Sequence, residues 1–175
     1  MQQAWLAPQL KKLAAISVIS LFSLSSHATA QQPKIEQTPY QDWLLVCAEQ
    51  QDSKQCQMMQ TLSVEQGEQS QRVLQAIVTR NGEQRLLEIS VPLGVDLRPG
   101  LLIQIDEGEV GSAPYLTCNA NGCAAVIALD NKVWRQLRAG QKAKIGIRGL
   151  GQPENTVLQL SLKGFTAASN ALIQN

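Results

Sequence analysis

Histidine is almost absent from this chain of 175 residues. The only one, His27, lies within the first 30 residues, and the sequence beyond it contains none. Catalytic groups in which histidine activates serine or cysteine therefore cannot be built from the later part of the chain. Aromatic residues make up only 4% of the sequence, so a folded core has to consist mainly of leucine, isoleucine and valine side chains.

An excess of charge of one sign is also absent. Fifteen Lys and Arg residues are balanced by 14 Asp and Glu residues, and the formal net charge is +1. Domains that bind nucleic acid are usually strongly basic, so this balance predicts no nucleic-acid partner. Internal repeats and low-complexity tracts are missing as well, which indicates a single domain.

The N-terminus has the pattern of a secretory signal peptide. Lys11 and Lys12 precede the uncharged apolar stretch 13–25, and small residues lead up to Ala30. We expect residues 1–30 to be removed after Ala30, which leaves 13 basic and 14 acidic side chains and no transmembrane span. An uncleaved membrane anchor is the alternative, although the stretch is shorter than the ~20 residues that a spanning helix needs.

Four cysteines remain beyond this leader: Cys47, Cys56, Cys118 and Cys123. An even number in an exported chain predicts disulfides. Four cysteines allow three pairings, and proximity along the chain favours Cys47–Cys56 and Cys118–Cys123. Each short bridge would stabilise the fold by about 2–3 kcal/mol, so we expect them to support turns rather than to hold the domain together.

The pair Cys118 and Cys123 leaves two alternatives open, a redox couple or half of a metal site. A catalytic dithiol usually has two intervening residues and lies at a helix N-terminus, whereas here four residues, Asn-Ala-Asn-Gly, separate two β-patterned segments. Zinc needs four thiolate or imidazole ligands, and all four cysteines together would be required. A structural disulfide is therefore favoured, with no metal and no cofactor.

The order of segments is typical of an all-β domain. Residues 31–41 are polar and predict a flexible leader, and β-forming segments flank the hairpin dipeptide Asn81–Gly82. One short helix is predicted from Asn131, as its cap, to Gly140, while 166–174 is either a terminal helix or frayed. We predict a single-domain β-sandwich or barrel-like roll of about eight strands with one short helix over residues 42–175.

Two groups of side chains suggest chemistry. Ser161 and Lys163 could form a serine–lysine pair, but strand alternation places Leu160 and Leu162 inward and the polar pair in water. The acidic stretch that follows a strand could bind a cation, yet it lacks the twelve-residue pattern of calcium loops. It comprises Asp106, Glu107 and Glu109. A solvated loop is the favoured interpretation, and a carboxylate pair for glycoside cleavage stays open.

A run of basic residues between 132 and 148 contains no acid and surrounds Trp134. Its members are Lys132, Arg135, Arg138, Lys142, Lys144 and Arg148. Such a run could dock anionic lipid, lipopolysaccharide, polysaccharide or an acidic protein. The alternative is a solvated helix face followed by an edge strand, where lysines discourage edge-to-edge pairing.

Three segments occur in a characteristic order: 91–108 (VPLGVDLRPGLLIQIDEG), 114–125 (PYLTCNANGCAA) and 160–168 (LSLKGFTAA). Together with Trp43 and the first two cysteines, they resemble the invasion-associated locus B family of bacterial exported proteins over residues 43–168. The resemblance implies a periplasmic or surface β-domain, named for a member linked to host-cell invasion. It implies no catalytic residues.

These observations predict a non-enzymatic exported envelope protein that acts as a binding module, with an envelope component or a host surface as its partner. The periplasm is the expected location, with the cell surface or release as alternatives. A periplasmic thiol oxidoreductase or carboxylate-dependent hydrolase is the first alternative function. An envelope assembly factor or inhibitor that acts by β-strand addition is the second.

Overall fold

The structure, a computed structural model, describes residues 33–50 and 53–174. The predicted signal peptide, residues 1–30, lies outside the described residues and stays a prediction. Among the helices of the described part, none has the length and apolarity needed to cross a membrane.

The described chain folds into eleven strands and two helices. They are β1 (Lys34–Tyr40), β2 (Trp43–Gln50), β3 (Ser53–Gln66), β4 (Gln69–Asn81), β5 (Gln84–Val91), β6 (Leu101–Ile105), β7 (Val110–Ala113), β8 (Tyr115–Asn119), β9 (Gly122–Ala128), α1 (Asn131–Ala139), β10 (Lys142–Arg148), β11 (Asn155–Ser161) and α2 (Phe165–Gln174). The all-β class is confirmed. The strand count exceeds the predicted eight, and the C-terminal segment forms a second helix instead of fraying.

Two antiparallel sheets make the architecture. The larger has seven strands in the order β1-β2-β3-β4-β5-β9-β8, and the smaller has four in the order β11-β10-β6-β7. The predicted hairpin at Asn81–Gly82 joins β4 to β5, and Gly82 adopts φ 59°. The chain leaves the large sheet after β5 to build β6 and β7 in the small one, then returns as β8 and β9, so β9 lies beside β5.

The prediction of a flexible leader is wrong over residues 34–40. This segment is β1, and it pairs with β2 from Lys34 opposite Glu49 to Tyr40 opposite Trp43. Polar composition predicts disorder because such a segment buries little apolar surface. An edge strand, however, gains its backbone hydrogen bonds from one neighbour only, and Pro39 is compatible with an edge.

One face of the large sheet is covered by the small sheet and both helices, and the core lies between them. Alternation along each strand brings aliphatic side chains inward, such as Leu74, Ala76 and Val78 of β4, each fully buried. Three of the five aromatic residues in the described part of the chain contact one another. The Phe165 ring lies 5.1 Å from the Trp43 ring and 5.5 Å from the Trp134 ring, in edge-on geometry both times.

A buried glutamine joins the two sheets. The Gln60 side chain, 5% exposed, donates from Nε2 to the Ser161 carbonyl oxygen at 3.0 Å and accepts the Ser161 backbone N–H at 3.0 Å. The Trp43 Nε1 donates to the same carbonyl at 2.9 Å. The Gln60 amide thus takes the place of a neighbouring strand at the end of β11, and it connects β3 of the large sheet to the small one.

The turn that follows this connection needs a glycine. Gly164 has φ 84°, in the region that L-residues with a Cβ adopt at a cost. A Cβ at this position would overlap the carbonyl oxygen of Tyr40. The turn between β1 and β2 therefore packs directly against the backbone that leads into α2.

Both disulfides are local. Cys47 and Cys56 are directly opposite on β2 and β3, and Cys118 and Cys123 are directly opposite on β8 and β9. Each bond cross-links the two arms of one hairpin, and neither connects the two sheets.

Replacing Gly164 tests the close approach of the two turns. Gly164→Ala is expected to lower the free energy of unfolding by about 3 kcal/mol or more, because left-handed strain of about 1–2 kcal/mol is added to a backbone overlap. Gly151→Ala is the matched control, since Gly151 also has φ 77° but a Cβ there meets no atom within 4 Å. Urea unfolding of both variants measures the difference, and equal losses would contradict the packing.

Removing the second disulfide tests whether the core folds without it. The double variant Cys118→Ala with Cys123→Ala is expected to lose about 2–3 kcal/mol of unfolding free energy through a less constrained unfolded chain. It should still fold, because most of the buried core side chains lie outside β8 and β9. Circular dichroism and urea unfolding check both expectations, with Cys47→Ala and Cys56→Ala as the comparison. A double variant that fails to fold would show that the bond is essential.

Candidate binding surfaces

The basic run lies on two elements. In α1, Trp134 and Leu137 are buried, while Lys132 and Arg135 lie on the exposed side. The cap of α1 is Asp130 rather than the predicted Asn131, because the Asp130 carboxylate accepts the Val133 N–H at 2.7 Å.

Along β10, alternation separates the core residues from the basic ones. Ala143 and Ile145 are buried, and Lys142, Lys144 and Arg148 occupy the other face of the strand. The six cations of the run are therefore divided between a helix surface and the outside of the small sheet.

The acidic stretch lies against the basic run. Lys144 Nζ is 2.9 Å from Glu107 Oε1, and Lys132 Nζ is 3.7 Å from Glu109 Oε2. The hydrogen bond from Lys144 lowers the pKa of Glu107. The Asp106 carboxylate accepts the backbone N–H groups of Gln141 and Lys142. The acids thus bind the protein's own cations and backbone.

Two further cations of the run bond to amide side chains. Arg138 donates to Asn170 Oδ1 at 2.7 Å, and Arg148 donates to Asn155 Oδ1 at 3.1 Å. Within residues 33–50 and 53–174, Arg135 and Lys142 form no salt bridge, and Lys142 acts on Glu107 only through its charge, which contributes to the lowered pKa of that carboxyl. The structure therefore does not bring the six residues together as one open anion-binding face.

Ser161, the last residue of β11, and Lys163, in the turn that follows, are not arranged as a nucleophile and its base. Leu160 and Leu162 are buried, as the alternation predicts. The Ser161 hydroxyl donates to Asp42 Oδ2 at 2.5 Å and accepts the backbone N–H of Lys163 at 3.2 Å. It stabilises the turn before α2.

The surroundings of Cys118 and Cys123 are those of a disulfide that cross-links a β-hairpin. Cys123 is 3% exposed, Cys118 is on the exposed arm of the same hairpin, and both belong to strands rather than to a helix N-terminus. Over the described residues, histidine, cysteine, aspartate and glutamate form no group of three or more that could hold a metal ion.

The most exposed apolar feature of the loops was not predicted. Leu93, Leu97 and Leu150 are 58%, 49% and 70% exposed. They lie on two loops, residues 92–100 and 149–154, which we call the leucine loops. Glycine and proline recur in both segments, and no periodic pattern marks these leucines as a surface feature.

Backbone hydrogen bonds hold the leucine loops side by side. The Asp96 N–H donates to the Arg148 carbonyl and the Leu150 N–H donates to the Gly94 carbonyl, both at 2.7 Å. Val95 and Gly149 form a β-bridge between them.

A buried carboxylate shapes the first leucine loop. Asp96, 7% exposed, accepts hydrogen bonds from Arg98 Nε at 2.8 Å, Arg98 Nη2 at 2.7 Å and the Arg98 backbone N–H at 3.2 Å. The side-chain hydrogen bonds from Arg98 are the main reason that the pKa of Asp96 falls to about 2. The carboxylate is therefore ionised at neutral pH, and the loop that carries Leu93 and Leu97 has a defined conformation.

Comparisons with known proteins identify relatives over most of the chain. The family model described as "Invasion associated locus B (IalB) protein" matches residues 43–173. The "Invasion protein B homolog" of Brucella abortus strain 2308 is 32% identical over 156 residues, covering 88% of this chain and 87% of the relative. The homolog from Brucella abortus biovar 1 strain 9-941 matches equally.

A solved structure shares the fold. The crystal structure of invasion associated protein b from Bartonella henselae superimposes with a TM-score of 0.68 at 28% sequence identity, and the match covers 79% of this chain and 95% of that one. The chain belongs to the invasion-associated locus B family.

Proposed function

We propose that this protein is an exported, non-enzymatic binding module of the bacterial envelope, and that it contacts its partner through the leucine loops. The main support for this contact is that three large apolar side chains are exposed on two loops that are hydrogen-bonded to each other. Apolar side chains that are exposed together on neighbouring, hydrogen-bonded loops support an interaction site, because exposed apolar patches often have this role.

Export is supported by the leader pattern and the disulfides. Residues 1–30 have the charged, apolar and small-residue regions of a signal peptide. Both cysteine pairs of the described chain are oxidised, and disulfides persist mainly in oxidising compartments such as the periplasm. We expect the mature protein to begin at Gln31 and to act in the periplasm or at the cell surface.

The names of the relatives suggest which partners the protein could bind. The relatives from Brucella abortus and Bartonella henselae are named as invasion proteins, so a host-cell surface is one candidate partner and another envelope component is the other. Pre-formed loops favour affinity, because little conformational freedom is lost on binding. The Arg98 side chain, 85% exposed, provides a polar rim beside the leucines.

The basic run is the second element of the proposal. In the described part of the chain Arg135 and Lys142 form no salt bridge, although the Lys142 charge acts on Glu107, so we propose that both side chains make a weak contact with an anionic partner. Such a contact would be screened by salt, whereas an apolar contact at the leucine loops would not.

Strand addition is a second candidate function, favoured by the open sheet edges. In the described residues, β1, β7, β8 and β11 each pair on one side only. The outer edge of β11 carries Val157, which is 57% exposed. An extended partner could hydrogen-bond to this edge, as in β-augmentation.

Binding assays with matched variants separate these possibilities. Protein purified from the periplasm is incubated with outer-membrane extract and with cultured host cells, and the bound fraction is measured. Leu93→Ser with Leu97→Ser and Leu150→Ser is expected to weaken binding at least tenfold, because the apolar contact is lost. Val64→Ser, at an exposed valine on the β3–β4 hairpin, is the control and should bind normally.

Other variants test the two remaining elements. Val157→Pro removes the backbone N–H that an added strand would use, so a loss confined to this variant would support strand addition instead. If only the double variant Arg135→Gln with Lys142→Gln loses binding, and binding depends strongly on salt, the basic run rather than the leucine loops contacts the partner. If the native protein binds neither preparation above a denatured control, the binding function is contradicted.

A further inference from the structure

A cavity of about 310 Å³ opens between the β6–β7 hairpin, the end of β9 and α1. Six aliphatic side chains line it: Ile103, Ile105, Val110, Ile127, Leu129 and Val133. Its lining includes no aromatic residue. Polar groups lie around it, among them Glu109, Asp130, Lys132 and Gln136, and the Asp130 carboxylate already accepts the Val133 N–H.

Two glycines leave this space open. Gly108 and Gly111 lie on the hairpin that forms one wall, and a Cβ on Gly111 would be 3.6 Å from Ile103 Cγ2, at ordinary contact distance. Ile103, Ile127 and Val133 are therefore only partly buried although they pack against the core. Apolar surface of this kind gains free energy when an apolar group covers it.

We propose that the cavity binds a single acyl chain that carries an anionic head group. The wall chemistry favours a flexible aliphatic chain, because no aromatic ring is available to stack on a flat ligand. The size is that of the smaller ligand sites, which are mostly apolar with a few polar groups. This site is separate from the leucine loops and does not depend on their function.

The Lys132 ammonium provides the positive charge that would bind the anionic head group. This ammonium lies 3.7 Å from Glu109, and the two side chains are 68% and 94% exposed. An ion pair that is so exposed and so long contributes little stability. A carboxylate or phosphate at the cavity mouth can therefore replace Glu109 as the partner of Lys132 while the chain enters between Val110 and Val133.

Titration with sodium decanoate and with decanol tests the site. Saturable binding of decanoate is expected, and the affinity should rise about fourfold for each added methylene from octanoate to decanoate. Gly111→Leu adds a side chain toward Ile103 and should weaken decanoate binding at least tenfold. Val64→Leu adds the same kind of bulk on a distant hairpin and should leave binding unchanged. Unaltered binding by Gly111→Leu would overturn the proposal.

Two further variants of the protein test the contact with the anionic head group. Lys132→Gln should weaken decanoate binding several-fold and leave decanol binding unchanged, whereas Glu109→Gln should strengthen decanoate binding. A decanoyl lysophosphatidylglycerol series distinguishes a phospholipid from a free fatty acid as the source of the chain. Binding of either lipid supports the site, and binding of neither overturns it.

Methyl NMR of the wild-type protein covers the case in which Gly111→Leu does not fold. Decanoate should shift the methyl resonances of Val110, Leu129 and Val133 and leave those of Leu93 and Leu150 unchanged. Shifts at the leucine loops without shifts at the cavity would place the lipid elsewhere and contradict the proposal.

Discussion

The backbone N–H and carbonyl of Ser161 are the polar link between the two sheets, which also share one apolar core. These two groups, at the end of an edge strand, would otherwise lack a neighbouring strand, and the buried amide of Gln60 supplies both hydrogen bonds. Backbone groups that are removed from water need partners, so this single side chain satisfies the partly buried end of β11. The Trp43 indole N–H donates a third hydrogen bond, to the same Ser161 carbonyl oxygen.

The residues that follow Ser161 lead the chain from this connection into α2. Leu162 continues into the core, Gly164 turns the chain against Tyr40, and Phe165 places its ring between Trp43 and Trp134. The helix α2 is thereby positioned on the large sheet, where it packs against β1, β2 and β3. The leucine loops and the cavity beside α1 both belong to this fold, which is consistent with the proposed binding through preformed surfaces.

Regular alternation made much of this fold predictable. The inward leucines of β11, the hairpin at Asn81–Gly82 and the helix before Gly140 depend on local patterns, and the structure has all of them. The edge strand β1 was missed because its stability comes from backbone pairing with β2, which polar composition does not reveal.

The surfaces were less predictable than the strands. In the sequence the acidic stretch and the basic run are two separate candidates, since the contacting Asp106 and Lys142 are 36 residues apart. Only the pairing of β6 with β10 brings them together. The roles of Gln60 and of the leucine loops depend on contacts between distant segments as well. A glutamine in a polar strand and leucines in a turn-rich loop have no sequence pattern that distinguishes them.

Native-state hydrogen exchange at the Ser161 amide tests the connection between the sheets most directly. In an antiparallel ladder the amides of Val157 and Gln159 point to the same open side of β11 as that of Ser161, so they provide an internal control. The Ser161 amide should exchange as slowly as amides of the core strands and far more slowly than these two, and Gln60→Leu should remove the difference. A Ser161 amide that exchanges as fast as that of Val157 in the wild-type protein would contradict the central role of Gln60.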